Sequence, residues 1–342
     1  MMQHQLLLVL LLASALSDCP TRGFPPLLPP KYSDGAPSRT TYHKRLQKYF
    51  PHVNPRIPRM GRDVVRVVTH NANYQRDLWK TGDNRKRIKA DLEVLQASVV
   101  VLREVPKPAE AYLSKTGDVE SRNEIVKPTG PLWDVLKALE YGDFHFGSCM
   151  KASFGTLIAS RIPFKHVDFM KLDAIHGITF VSLLFGRHHV GLFDAKIAND
   201  IHDLIVRSYI KEKIKLYKLD YYIVAAEMPG KVRLPIIPFR SAFDALGWPH
   251  PAFTSWRDME SDHIFVAKNA EVHLLGAYLY LSFASDHLPV LADFCVPGAE
   301  PVTHFHRFPK GTLLLGIFAV LFLTLITGFG MYYWIRSKLD PL

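Results

Sequence analysis

Between residues 63 and 294 strand-like and helix-like segments alternate, and a hairpin interrupts the alternation, which narrows the folds open to this chain. Residues 64–69 are a β-branched run and read as a strand. Residues 85–96 carry Ile88, Leu92 and Leu95 at helical spacing. Residues 98–102 are a buried strand and 132–139 a helix. Residues 155–160 open a run of strands, in which 178–184 and 190–193 form a hairpin across Gly186 and Arg187. A long helix over 200–217, a strand over 221–225 and a helix over 239–246 follow, with final strands at 263–266 and 288–294. No internal repeat occurs. Because hairpins break the strand–helix alternation, two packed mixed sheets covered by helices are expected, an α/β chain rather than a doubly wound parallel sheet.

The flanks differ from this domain. Residues 6–12 are a short apolar run ending in small residues, the pattern of a signal peptide over 1–17. A buried N-terminal helix is the alternative. Residues 18–60 hold Pro20, Pro25, Pro26, Pro29, Pro30, Pro37, Pro51, Pro55 and Pro58, and so read as a linker with neither a regular helix nor a central strand. After the domain, 61–297, and a juxtamembrane segment, 298–310, residues 311–334 are uncharged and long enough to cross a bilayer as a helix. Tyr332, Tyr333 and Trp334 suit an interface, and 335–342 form a short tail. Together the ends predict a single-pass type I protein of the secretory pathway or cell surface, its domain luminal or extracellular and its tail cytosolic. A removable glycolipid-anchor signal is the rival reading of the last segment.

Three cysteines, Cys19, Cys149 and Cys295, exclude a disulfide scaffold and leave a Cys149–Cys295 bridge open. The formal charge of +10 suits an anionic partner, either nucleic acid or a lipid surface. Much of the excess lies in 44–66 and 85–89, where a solvated face is the plain alternative.

Several short segments carry chemistry. Ser285-Asp286-His287-Leu288-Pro289-Val290 places a carboxylate able to bind a cation beside an imidazole able to move a proton. Ser261-Asp262-His263-Ile264-Phe265-Val266 precedes it, and Val100-Val101-Leu102-Arg103-Glu104 puts a carboxylate at the end of an apolar strand. Val67-Val68-Thr69-His70-Asn71 ends a strand in Thr-x-Asn, Phe154 to Pro163 reads Gly-x-x-hydrophobic-x-Ser-Arg-x-Pro, and Phe253-Thr254-Ser255-Trp256 precedes Asp262. Taken in order, these segments resemble the endonuclease/exonuclease/phosphatase family, over about residues 63–295.

The resemblance implies a four-layer αββα sandwich and a divalent-metal-dependent phosphoester hydrolase. It implies Mg²⁺ or Mn²⁺ bound by Glu104 and Asp286, Asn71 at the phosphate, Asp262 orienting His287, and His287 as the proton-handling group. Three positions depart from it. Where the family has Gly-Asp-x-Asn, this chain reads Ala226-Glu227-Met228-Pro229, so Glu227 replaces the Asp that positions the attacking water and Pro229 replaces the Asn. Where the family has a second His, Phe193-Asp194-Ala195-Lys196 puts Lys196, or nothing; a lysine there is a different group that would bind the substrate's phosphate. His188, His189 and His202 read as turn or helix-surface residues. The leading expectation is a membrane-tethered phosphodiesterase acting on an anionic phosphoester, with a lipid head group favoured over nucleic acid. A secretory-pathway nuclease and a catalytically impaired binding module are the alternatives.

Overall fold

The computed structural model describes residues 63–72, 84–106, 131–149, 154–228, 239–248, 254–255, 261–280, 282 and 284–296. All of them lie in the first of two compact units, Met1–Val302. The expected signal peptide, the linker, Pro229, the juxtamembrane segment, the apolar segment 311–334 and the tail lie outside the described residues. Among the described residues no helix is long and apolar enough to cross a membrane.

In chain order the elements are β1 (Val64–Asn71), α1 (Arg85–Leu95), β2 (Val99–Pro106), α2 (Pro131–Ala138), β3 (Asp143–Gly147), β4 (Phe154–Ser160), β5 (Phe164–Lys171) and β6 (Gly177–Phe185). There follow β7 (His188–Lys196), α3 (Asp200–Tyr217), β8 (Tyr221–Glu227), β9 (Phe239–Ser241), α4 (Ala242–Ala245), β10 (Asp262–Ala267), a 3₁₀ turn (Lys268–His273), β11 (Leu274–Leu279) and β12 (Val290–Cys295). They form two six-stranded sheets, ordered β11-β12-β1-β2-β4-β3 and β5-β6-β7-β8-β10-β9. Each sheet is mixed: β1–β2 and β7–β8 are parallel, whereas β1–β12, β2–β4, β6–β7 and β8–β10 are antiparallel.

Valine runs in β1 and β2 are explained by burial on both faces. Val65, Val67, Val99 and Val101 point into the core between the sheets, with Leu192, Ile223 and Val290. Val68, Val100 and Leu102 point the other way, onto Ile88, Leu92 and Leu95 of α1 and Leu132 and Leu136 of α2. On the second sheet Phe193 meets Tyr209 of α3 edge to face, with centroids 6.2 Å apart. The order of layers is therefore helix, sheet, sheet, helix. One buried charge pair crosses the first sheet: Arg66, opposite Asp293 in register, donates to both its carboxylate oxygens at 2.6 and 2.7 Å.

The Gly155–Pro163 signature has a structural origin. A Cβ on Gly155 would collide with the Gly147 carbonyl on neighbouring β3. Ser160 closes the turn that follows, donating to the Ile162 carbonyl at 2.7 Å and accepting from its amide at 2.9 Å.

One expected element needs correction. Residues 239–246 are not one helix: Phe239–Ser241 pairs with the edge of β10, and Ser241 then caps a single turn by accepting from the Phe243 amide. The apolar residues that suggested a helix are here satisfied by sheet pairing and tertiary packing, which override local preference. The Cys149–Cys295 bridge that the sequence left open is not formed. Cys149 is a buried thiol donating to the His176 carbonyl at 3.1 Å, and Cys295 is disulfide-bonded elsewhere.

Candidate active site

Strand register assembles much of the candidate site. Lys196 at the end of β7 is the direct partner of Glu227 at the end of β8, and Glu227 is the direct partner of Asp262 at the start of β10. Directly paired residues project to the same side of a sheet, so the three form a row at one edge of the inter-sheet core. Asp194, two residues before Lys196, shares that face.

The first sheet supplies the rest through a bulge. Pairing of β2 with β4 slips between Leu102 and Val105, setting Arg103 and Glu104 against the single residue Thr156, one residue more than regular pairing allows. Arg103 continues the inward phase of Val99 and Val101 and enters the core. There its Nε donates to Asp194 at 2.7 Å and its Nη1 to Asp262 at 2.8 Å. Regular alternation would aim Glu104 at α1, with Leu102. Its φ of +53° instead turns the chain. The carboxylate thereby comes within 3.8 Å of Lys196 Nζ. Lys196 also pairs with Glu227 at 2.6 Å.

His287 completes the arrangement from the loop before β12. Its Nδ1 lies 2.6 Å from Asp262 Oδ2, an oxygen that also accepts from Ser261 at 3.0 Å and faces Thr254 Oγ1 at 3.5 Å. Backbone contacts fix this loop: Leu288 donates to the Thr254 carbonyl at 2.8 Å, and Ser255 bridges His287. The fully buried Asn84 donates to the carbonyls of Ala72 and Ala284, which ties the end of β1 to the segment entering Asp286. Asp286 is buried, with Ser285 Oγ 3.5 Å from its Oδ1. Asn71 is buried at the end of β1, opposite Arg103 in register.

The electrostatics divide the two neighbouring histidines. Burial opposes charge on His287, but the Asp262 carboxylate outweighs it and raises the imidazole to about 9. Asp262, though buried, is held well below the usual carboxylate range by His287 and Arg103. His70, next to Asn71, goes the other way. Burial lowers it to about 4 despite attraction from Asp262, and its Nε2 has no hydrogen-bond partner. Burial raises Asp194 even against Arg103, and Lys196, though partly desolvated, is raised by Glu227. Environments that drive adjacent groups apart in this way assign separate proton roles.

Glu104, Lys196, Glu227, Arg103 and Asp194 line one open cleft, which runs on to Cys149, Ile175 and His176. Beside its far end stands a second polar group. Asp173 Oδ2 meets His176 Nδ1 at 2.7 Å and His202 Nε2 at 3.1 Å. His202 is thus buried and paired, not a helix-surface residue. Nothing in the local sequence marks this group, because its members lie on a β5–β6 turn and the start of α3.

Hard oxygen donors such as Glu104 and Asp286 are those Mg²⁺ accepts. In this structure, however, the Glu104 and Glu227 carboxylates are already compensated by the Lys196 ammonium. Among the described residues, the three metal-ligating atoms found within 4.8 Å of one another belong to Asp173, His176 and His202. Glu104, Asp286 and Glu227 do not converge as such a group.

No protein-family model matches this sequence, and no curated protein does. Solved structures do match. The human Nocturnin catalytic domain with bound sulfate is 15% identical, covering 68% of this chain and 93% of its own, with a TM-score of 0.48. An endonuclease/exonuclease/phosphatase from Beutenbergia cavernae is 18% identical, covering 70% and 73%, with a TM-score of 0.45. Zebrafish (D. rerio) TDP2 complexed with a single-strand DNA product is 16% identical, covering 68% and 98%, with a TM-score of 0.46. This protein itself is an α/β sandwich of two packed mixed sheets with outer helices, along which Asn71, Glu104, Asp262 and His287 follow in chain order.

Proposed function

We propose that this protein hydrolyses phosphoesters, with a phosphodiester as substrate and His287 as the group that moves the proton. The Asp262–His287 contact carries the reading. A carboxylate on Nδ1 fixes the ring and leaves Nε2 for the substrate, and the raised pKa keeps the ring charged at neutral pH. His287 then suits the role of acid toward the leaving oxygen. In this scheme a water oxygen bonds to phosphorus and its proton passes to Glu227. The bond from phosphorus to the leaving oxygen breaks, and His287 protonates that oxygen. One water is consumed, and solvent returns the proton from Glu227 to His287.

Mg²⁺ or Mn²⁺, expected on Glu104 and Asp286, would supply Lewis-acid charge at the phosphoryl group, but those two carboxylates and Glu227 do not converge as a ligand group. None of the steps above depends on such an ion. Residues 311–334 would tether the domain beside a bilayer, with the signal peptide placing it in the lumen or outside the cell. That position favours a lipid-linked phosphodiester, such as a sphingolipid or glycosyl-phosphatidylinositol head group, over nucleic acid. Basic charge supports both substrates equally.

The test is turnover by the purified full chain of an activated aryl diester, sphingomyelin and DNA, each with a His287→Ala control. Loss of a positioned acid lowers kcat by about a hundredfold or more. Equal rates in a folded His287→Ala chain would remove the imidazole from the reaction. The ion pairs of Lys196 favour one second reading, a phosphate-binding module without turnover. Saturable phosphoester binding with unchanged substrate would select it.

A further inference from the structure

Glu104 and Glu227 come from different sheets, and one side chain reaches both. Lys196 Nζ lies 2.6 Å from Glu227 and 3.8 Å from Glu104. We propose that Lys196 is the resident cation of this site, standing where a divalent metal ion would, and that its ammonium binds a non-bridging oxygen of the substrate's phosphoryl group. This rests on the phosphoester reading above.

Four observations carry it. First, the placement is set by the backbone: Lys196 and Glu227 are direct partners on adjacent parallel strands, so their contact follows from register. Second, the Lys196 side chain keeps 37% of its surface open, whereas Glu227 and Glu104 keep 11% and 18%, so the cation faces the cleft. An ammonium has three donors; Glu227 at 2.6 Å takes one and Glu104, at 3.8 Å, is an ion pair beyond hydrogen-bond reach, so donors remain for a substrate oxygen. Third, the buried charges are already matched. Arg103 serves Asp194 and Asp262 while Lys196 serves the two glutamates. A dication coordinated by those glutamates at about 2 Å would face the ammonium at close range. Fourth, both cations line the same cleft, so fixed charge is aimed where negative charge develops in phosphoryl transfer. Lys196 stays protonated throughout: water is split between phosphorus and the leaving oxygen, and no proton leaves the amine.

Two measurements on the purified full chain test the proposal, with folding checked by thermal melt. In a Mn²⁺ titration followed by electron paramagnetic resonance, wild type should take up no ion at Glu104. Lys196→Met should gain one bound ion, and Glu104→Gln in that background should remove it. The Glu104→Gln control also separates this site from the Asp173, His176 and His202 group. In the second measurement, wild-type turnover of the aryl diester should survive EDTA. It should fall by about a hundredfold in Lys196→Met, the scale of one lost transition-state donor, with partial retention in Lys196→Arg.

Mn²⁺ bound to wild type through Glu104, or turnover abolished by EDTA, would overturn the proposal. So would a folded Lys196→Met chain that binds no Mn²⁺, because the glutamates would then be no metal site for the lysine to replace. If no diester is turned over by any form, the hydrolytic reading fails. The Mn²⁺ titration still decides on the lysine.

Discussion

Replacing Arg103 with leucine tests the charge arrangement at its centre. Arg103 is 3% exposed and joins the sheets by donating to Asp194 at 2.7 Å and Asp262 at 2.8 Å. The leucine would fill part of the space and leave both carboxylates short of a cation. Their losses differ. Asp262 keeps His287 and Ser261, whereas Asp194 keeps only the Thr156 hydroxyl at 2.8 Å among its hydrogen-bond partners. Breaking a buried pair from one side costs about 3–5 kcal/mol, and the remaining partners of Asp262 place this case near about 3 kcal/mol. For a domain of this size that is a fall in Tm of about 6–12 °C. The assay is urea unfolding with a parallel thermal melt. Arg103→Leu with Asp194→Asn should recover about half of the loss, because the worst-placed charge is gone. The sign of the pH dependence follows from Asp194. Burial already pushes it up, and without Arg103 its folded pKa stands further above the unfolded value of about 3.9. The folded variant then holds a proton more tightly, so its deficit is smallest near about pH 4 and grows as pH rises. A single variant within about 1 kcal/mol of wild type, or a double variant no more stable than the single, would refute the reasoning.

Three further outcomes are expected. With His287 held near 9, kcat/KM should fall as pH rises through that value if the imidazolium is the acid, and fall again at low pH as the Glu227 carboxylate takes up a proton. A rise toward pH 9 would make His287 the base instead, and Asp262→Asn should lower the ring's NMR-measured pKa in either case. His70, neutral in the fold and near 4, should destabilise the domain as pH falls from about 6.5 toward 4, by up to about 3 kcal/mol, and His70→Gln should flatten that slope in urea titrations. Glu104 holds φ at +53°, a conformation costing a side-chain-bearing residue about 1 kcal/mol or more. Glu104→Gly should therefore be more stable than Glu104→Ala by about 1 kcal/mol in chemical denaturation, and equal stabilities would mean that the bulge stores no strain.

Periodicity was a sound guide wherever a segment's burial matched its pattern. The valine runs of β1 and β2 announced strands because both their faces are covered, and 200–217 announced a helix whose bounds the structure repeats. β3, β5 and β11 did not stand out. The sequence Asp143-Phe-His-Phe-Gly is short and mixes charge with aromatics, and β5 exposes much of its length. Their pairing is supplied by neighbours far along the chain. The departures at Glu227 and Lys196 were visible as residue types. Their mutual contact was not, since it depends on β7 and β8 lying parallel in one register.

By itself the sequence determined the strongly patterned elements, the two-sheet class and the chain order of Asn71, Glu104, Asp262 and His287, because these depend on local pattern and short motifs. Tertiary structure alone decided that Arg103 is the cation shared by Asp194 and Asp262. It also decided that a bulge turns Glu104 toward Lys196, and that His70 and His287 titrate in opposite directions. Each of those depends on which charges share a buried space. Charges from separate strands enter one space only when the sheets close on each other, and no local stretch of sequence records that distance.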